Sequence, residues 1–166
     1  FGKSFLSVAV NHVVKKIFHD IQDGNGRLII IGNGGSAAIA LHALADYANA
    51  GGLRTMDLIN PALITCIAND YGYENVFAKH IKTFSKREDI LFAISSSGRS
   101  LNIIKACEAA KTKDCYVTTF SGFDYENPLR KSGDMNFYVP SIHYGFVELT
   151  HQTLIHCILD LFCKFS

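Results

Sequence analysis

The sequence predicts one three-layer α/β domain built on a five-stranded, mostly parallel sheet with helices on both faces, and three observations carry that expectation. Short apolar runs rich in β-branched residues alternate along the chain with longer helical patterns. The runs show no inside-outside alternation, which marks strands covered on both faces. Two of them lead into glycine- or serine-rich turns that open a helix, as the start of a βα unit does.

In chain order, residues 4–22 place Val10, Val13, Val14, Ile17, Phe18 and Ile21 at spacings of three and four, which predicts an amphipathic helix ended by DGNG at 23–26. RLIIIG (27–32) is the first strand, GNGGS (32–36) its turn, and the stretch to residue 50 the next helix. ALITCIA (62–68) is expected as the second strand, 73–84 as a helix and DILFAIS (89–95) as the third strand. SSSGRS (95–100) opens a helix over 101–113, CYVTTFSG (115–122) and MNFYVP (135–140) are the last two strands, and 146–162 is a long apolar helix. No linker or internal repeat divides residues 1–166, so a single domain is expected.

Composition narrows the partners. With 48% hydrophobic and 19% charged residues the chain can bury a core without disulfides, and disorder is excluded. Sixteen basic against fifteen acidic side chains leave no dense cationic face for nucleic acid or an anionic membrane. Apolar runs fall far short of the roughly 20 residues of a membrane span, so a soluble protein is expected. Five cysteines without a C-x-x-C pair read as reduced thiols, mostly buried, in a cytoplasmic protein. No secretory signal is visible, and the chain opens on Phe1 rather than Met.

Two constellations carry chemistry. Both turns follow strands, where open α/β sheets bind ligands. Gly34, Gly35 and Gly98 let the backbone approach an anion, while Ser95, Ser96, Ser97 and Ser100 add hydroxyl donors beside a helix start. The bland alternative is a pair of capped turns. Neither turn is a Walker loop, and GNGGS lacks the full dinucleotide fingerprint, so a monophosphate ester fits the lysine-free cradle better than a triphosphate. The second constellation is His42 and Asp46, four apart on one helix, with Glu148, Gln152 and His156 at intervals of four on the last. Buried polar groups there need partners, which leaves three readings open: a divalent metal site, an acid-base pair, or a structural hydrogen-bond network.

GNGGSAAIALHALADYA, ITCIANDYGYENVFAKHI, DILFAISSSGRSLNIIKACEAA and ELTHQTLIHCILDLF together resemble, in order and spacing, the sugar isomerase (SIS) domain of the phosphoheptose isomerases, from about Ile21 to the C-terminus. The resemblance implies a flavodoxin-like sheet and a cytoplasmic homotetramer with active sites at subunit interfaces, in which the helix over residues 1–22 packs. It also implies interconversion of D-sedoheptulose 7-phosphate and D-glycero-D-manno-heptose 7-phosphate, the first step toward bacterial ADP- or GDP-heptose. By the same resemblance Ser95, Ser96, Ser97 and Ser100 hold the phosphate, with Asn33, Gly34, Gly35, Ser36, Asp70 and Glu148 around the substrate. Asp46 and His156 match the catalytic pair, and zinc is implied between His42, Asp46, Glu148 and His156. Isomerases of other sugar phosphates and non-catalytic SIS proteins of the initiator-associating type are the alternatives, and the presence of His156 favours an enzyme.

Four positions depart from the family pattern. Asp46 stands for Glu, Glu148 for Gln, and Gly145 and Phe146 for polar residues. The shorter Asp46 and the charged Glu148 read as compensating changes around a metal. His12, His19 and His80 are expected at the surface, His143 and His151 beside the site. Arg99 is a candidate phosphate contact.

Overall fold

A computed structural model describes residues 5–165. Helix α1 (Phe5–Lys16) runs into a π-helical turn, Ile17–Asp23, closed by Gly24. Strand β1 (Leu28–Ile31), α2 (Gly35–Asn49), β2 (Thr55–Met56), α3 (Pro61–Tyr71) and a 3-10 turn (Tyr73–Asn75) follow. Then come α4 (Ala78–Phe84), β3 (Ile90–Ser95), α5 (Leu101–Lys111), β4 (Tyr116–Ser121), a 3-10 turn (Pro128–Lys131), β5 (Met135–Tyr138) and α6 (Tyr144–Phe165). Part of the residue 1–22 helix expectation, residues 1–4, lies outside the described residues.

All strand pairs are parallel and the order is β2-β1-β3-β4-β5. The chain therefore reverses its direction of travel across the sheet between β1 and β3, and that switch point is where an open sheet leaves a crevice beyond its strand ends. Leu28 and Ile30 of β1 with Ile90, Phe92 and Ile94 of β3 pack against α1, α2 and α6. Ile29, Ile31, Leu91 and Ala93 pack against α4 and α5. Both faces are covered, which is why these strands read as unbroken apolar runs.

The expected strand at 62–68 is instead helix α3. Its start is fixed locally: the Asn60 side chain accepts a hydrogen bond from the Ala62 backbone at 2.9 Å, and Pro61 takes the first helical position. Ile67 is buried while Thr65, Cys66, Asn69 and Asp70 are exposed, so an apolar run that mimics a strand is one flank of a surface helix. The place of the missing strand is taken by the two-residue edge strand β2 beside β1.

Further expectations are corrected by the packing. Only Cys107 and Cys115 are buried; Cys66, Cys157 and Cys163 lie on exposed helix flanks. Burial pushes the Cys107 and Cys115 thiols up to about 12. His12 and His19 are exposed, but His80 is half-buried and its Nε2 is enclosed without a partner beside the stacked ring of Phe84. Among the described residues no helix is long and apolar enough to cross a membrane.

Candidate functional site

The turns after β1 and β3 lie side by side because those strands are neighbours in parallel register, with Ile31 opposite Ala93. Between them is a cleft of about 260 Å³ lined by Asn33, Gly34, Gly35, Ser36, Ser95, Ser96, Ser97, Ser100, Tyr144 and Glu148. Gly34 (φ 56°) and Gly98 (φ 64°) adopt left-handed conformations that let the two turns fold back over the strand ends. A side chain at Gly98 would collide with Asn127, whose own side chain binds the 122–130 segment together. Ser95 and Ser100 pair their hydroxyls at 3.1 Å, and Ser100 makes no side-chain cap to α5. The Ser96 hydroxyl is buried without a hydrogen-bond partner. The turn uses the Ser97 hydroxyl on its own backbone, accepting from the Arg99 N–H at 3.3 Å, while the Ser96 hydroxyl is a buried donor without such a use.

Beside the cleft, α2 and α6 bring the second constellation together. His42 Nε2 lies 3.4 Å and His156 Nδ1 3.6 Å from Asp46 Oδ2, and the imidazole centroids are 5.1 Å apart. One donor atom from each residue fits within 4.8 Å of the others. Tetrahedral zinc with bonds of about 2.0–2.1 Å sets its ligands roughly 3.3 Å apart, so the donor set and both carboxylate distances fit such an ion. These side chains are 53%, 35% and 31% exposed in the single chain, so burial there does not by itself oblige them to pair.

Glu148 does not join the cluster of His42, Asp46 and His156. Its carboxylate packs on Gly35, where a Cβ would approach within 2.6 Å, so a side chain there would contest the position Glu148 occupies. Glu148 lines both the serine cleft and an adjoining apolar groove that contains His42, Gly145, Leu149 and Gln152, and thus stands between the two constellations. The expected pairing of Glu148 with Asp46 around one ion is therefore not seen.

Asp70 sits on the exposed last turn of α3, beside Asn69 and Cys66, and does not line the cleft. The same segment instead sends Tyr73 to the site, its hydroxyl 3.1 Å from Asn33 Oδ1. Arg99 points to Asp124 at 2.6 Å rather than into the cradle. His143 is exposed, whereas His151 is fully buried, with Nε2 3.1 Å from the Ser121 carbonyl and Nδ1 unpartnered. Burial lowers the His151 pKa to about 4, partly opposed by the carbonyl contact. Sequence reasoning missed Tyr73, Tyr144 and Asn102. The signal for Asn102 was an amide set two residues after the serine turn in an otherwise apolar helix start; the other two carried none.

Comparison with known proteins places this arrangement. The SIS domain family matches residues 5–122. The phosphoheptose isomerase of Helicobacter hepaticus is 32% identical over 162 residues, 94% of this chain and 82% of that protein. That of Thermodesulfovibrio yellowstonii is 37% identical over 158 residues, 92% and 78% respectively. Solved phosphoheptose isomerases from Neisseria gonorrhoeae (TM-score 0.86, 29% identity, 95% of this chain and 87% of that one) and Francisella tularensis (0.88, 27%, 97% and 88%) share the fold. The chain belongs to the SIS-domain family, with an α/β sheet whose two glycine- and serine-rich turns meet at the strand ends. Within that family it stands with the phosphoheptose isomerases.

Proposed function

We propose that the protein is a cytoplasmic aldose-ketose isomerase that interconverts D-sedoheptulose 7-phosphate and D-glycero-D-manno-heptose 7-phosphate, the first step of bacterial heptose activation. The carrying observation is the juxtaposition, across Glu148, of a cradle with an unpartnered buried hydroxyl and a cluster of one carboxylate and two imidazoles. The amides and hydroxyls of Ser95, Ser96, Ser97 and Ser100 hold the phosphate, and Asn33, Gly34, Gly35 and Ser36 close the cradle from the other turn. Fixing the phosphate at one end converts binding energy into placement of the reacting carbons at the other.

The reaction removes a proton from C1 of the ketose and returns one at C2 through an enediol. Asp46 and His156 serve as the base and acid, exchanging roles in the reverse direction. Their donor atoms face one another across α2 and α6, close enough to act on neighbouring carbons of one substrate. The same three side chains, His42, Asp46 and His156, are the set that would hold zinc, which when bound supplies polarisation of the sugar carbonyl and takes up the Asp46 and His156 atoms otherwise free for proton transfer. Three side chains would leave one position of a four-coordinate ion for substrate or another ligand.

Asp70 and the half-exposed cluster need more surroundings than one chain gives them. We infer a homotetramer, supported by Ile142, Phe146 and Leu149, apolar side chains that stand in solvent beside the site. Residues 5–22 and α6 pack together in the single chain, and both are expected to contribute to the assembled core.

Turnover of sedoheptulose 7-phosphate by the purified protein tests the reading, with other sugar phosphates in parallel and with and without a zinc chelator. His156→Ala and Asp46→Asn are expected to reduce kcat by about 10²–10⁴-fold, the span of acid-base catalysis. A wild-type protein that binds phosphate esters but isomerises none of them would sink the proposal. Preference for a different sugar phosphate would replace only the substrate.

A further inference from the structure

We propose that Asn102 is a positioning residue that sets the side-chain amide of Asn33 in one orientation toward the cleft. The inference rests on the cleft being a phosphate-ester site. Asn33 follows β1 and Asn102 opens α5, 69 positions later, yet their amides form a reciprocal pair. Asn33 Nδ2 donates to Asn102 Oδ1 at 2.9 Å, and Asn102 Nδ2 donates to Asn33 Oδ1 at 2.9 Å. Asn33 lines the cleft, whereas Asn102 is 3% exposed and does not.

The orientation is over-determined. The Ile103 backbone N–H, which can only donate, is shared between Asn102 Oδ1 at 3.0 Å and the Ser100 carbonyl at 3.1 Å. The oxygen of Asn102 is therefore fixed, and its NH₂ group must face Asn33. That fixes Oδ1 of Asn33 as the acceptor, and the Tyr73 hydroxyl donates to the same oxygen at 3.1 Å. An amide nitrogen carries two hydrogens. One is spent on Asn102, and the other is the donor that Asn33 retains for a ligand. A flipped Asn33 would offer the cleft an oxygen instead, which repels a phosphate. The pair also ties the turn after β1 to the turn after β3, so both walls of the cradle are held at one spacing.

The test combines titration with inorganic phosphate and steady-state kinetics on sedoheptulose 7-phosphate. Asn102→Leu keeps the number and branching of side-chain heavy atoms and removes the donor and the acceptor. Its phosphate Kd and its KM are expected to rise about three- to tenfold, the effect of one positioned hydrogen bond, while kcat changes less than about twofold. Tyr73→Phe, at an exposed ring, is expected to raise the Kd about twofold because Asn102 still holds the amide. The double variant should exceed the product of the two, since either donor alone restrains the same oxygen.

A purely structural role would lower the folded fraction, hence apparent kcat and the melting temperature, and leave Kd and KM untouched; that result overturns the inference. If Asn102→Leu does not fold, Asn102→Asp keeps the shape and the Ile103 bond but turns an acceptor toward Asn33, and an unchanged phosphate Kd there overturns it equally. Wild-type phosphate binding without turnover would defeat the isomerase reading while the titrations still decide the role of Asn102. Turnover with an unmoved KM in the variants would defeat the role of Asn102 alone. No phosphate binding by the wild type would defeat both.

Discussion

Ser96 shows at the scale of one residue how an unused hydrogen bond becomes a functional statement. Its buried hydroxyl finds no partner in the ligand-free chain, and an unmet donor of that kind costs about 1–3 kcal/mol. Ser96→Ala is therefore expected to raise the melting temperature of the free protein while weakening phosphate binding, opposite signs that calorimetry and a phosphate titration read separately. His151 makes a second prediction. Its Nε2–H donates to the Ser121 carbonyl, and burial lowers its pKa to about 4 against about 6.5 unfolded. The unfolded chain thus binds the proton more readily. The neutral imidazole contributes fully above about pH 6.5, and that contribution drains away as pH falls toward 4, on the order of 3 kcal/mol in all. Urea unfolding at pH 7 and pH 4.5 should show a shallower loss for His151→Leu than for the wild type.

Helix α3 marks where element-level reading failed, and the reason is local. Residues 62–68 have strand-like composition, but the decision was made one position earlier, by the Asn60 cap and Pro61. Asn60→Ala is expected to cost about 1 kcal/mol, seen as a lower urea midpoint with an unchanged slope. Strands β1, β3 and β4, covered on both faces, and the apolar helices α5 and α6 fall within a few residues of where the apolar runs put them. The edge strand β2 was not, because two residues of half-covered backbone leave no pattern in the side chains. The site was legible in its motifs and less so in its geometry. The serine and glycine turns and the His42, Asp46 and His156 cluster were named from spacing and resemblance. Glu148, expected both at the substrate and among the metal ligands, lines the serine cleft but not the cluster, and Asp70, expected at the substrate, lies on the exposed last turn of α3.

At the scale of the molecule, the outer flank of α6 carries apolar side chains in solvent. Leu149 and Phe146 are 66% and 68% exposed next to the groove that holds His42 and Gln152. Apolar side chains gathered beside a polar site mark an interface rather than a solvent face. If the proposed tetramer forms through this flank, Leu149→Arg shifts the protein to smaller species in sedimentation and depresses turnover with it. A wild-type monomer that isomerises sedoheptulose 7-phosphate at full rate would dismiss the interface-built site.

The sequence by itself determined the fold class, the two turns at the strand ends and the residue types of the cluster, because all of these follow from short-range pattern: which residues bury, which turns open helices, which positions share a helix face. Tertiary structure alone decided that α3 is a helix on the surface, that the polar cluster is half-exposed, that Glu148 rests on Gly35, and that Asn102 grips Asn33 across 69 residues. Those outcomes depend on which strand ends become neighbours and how helices cross, and contacts between distant segments leave no periodicity in a chain read one residue after another.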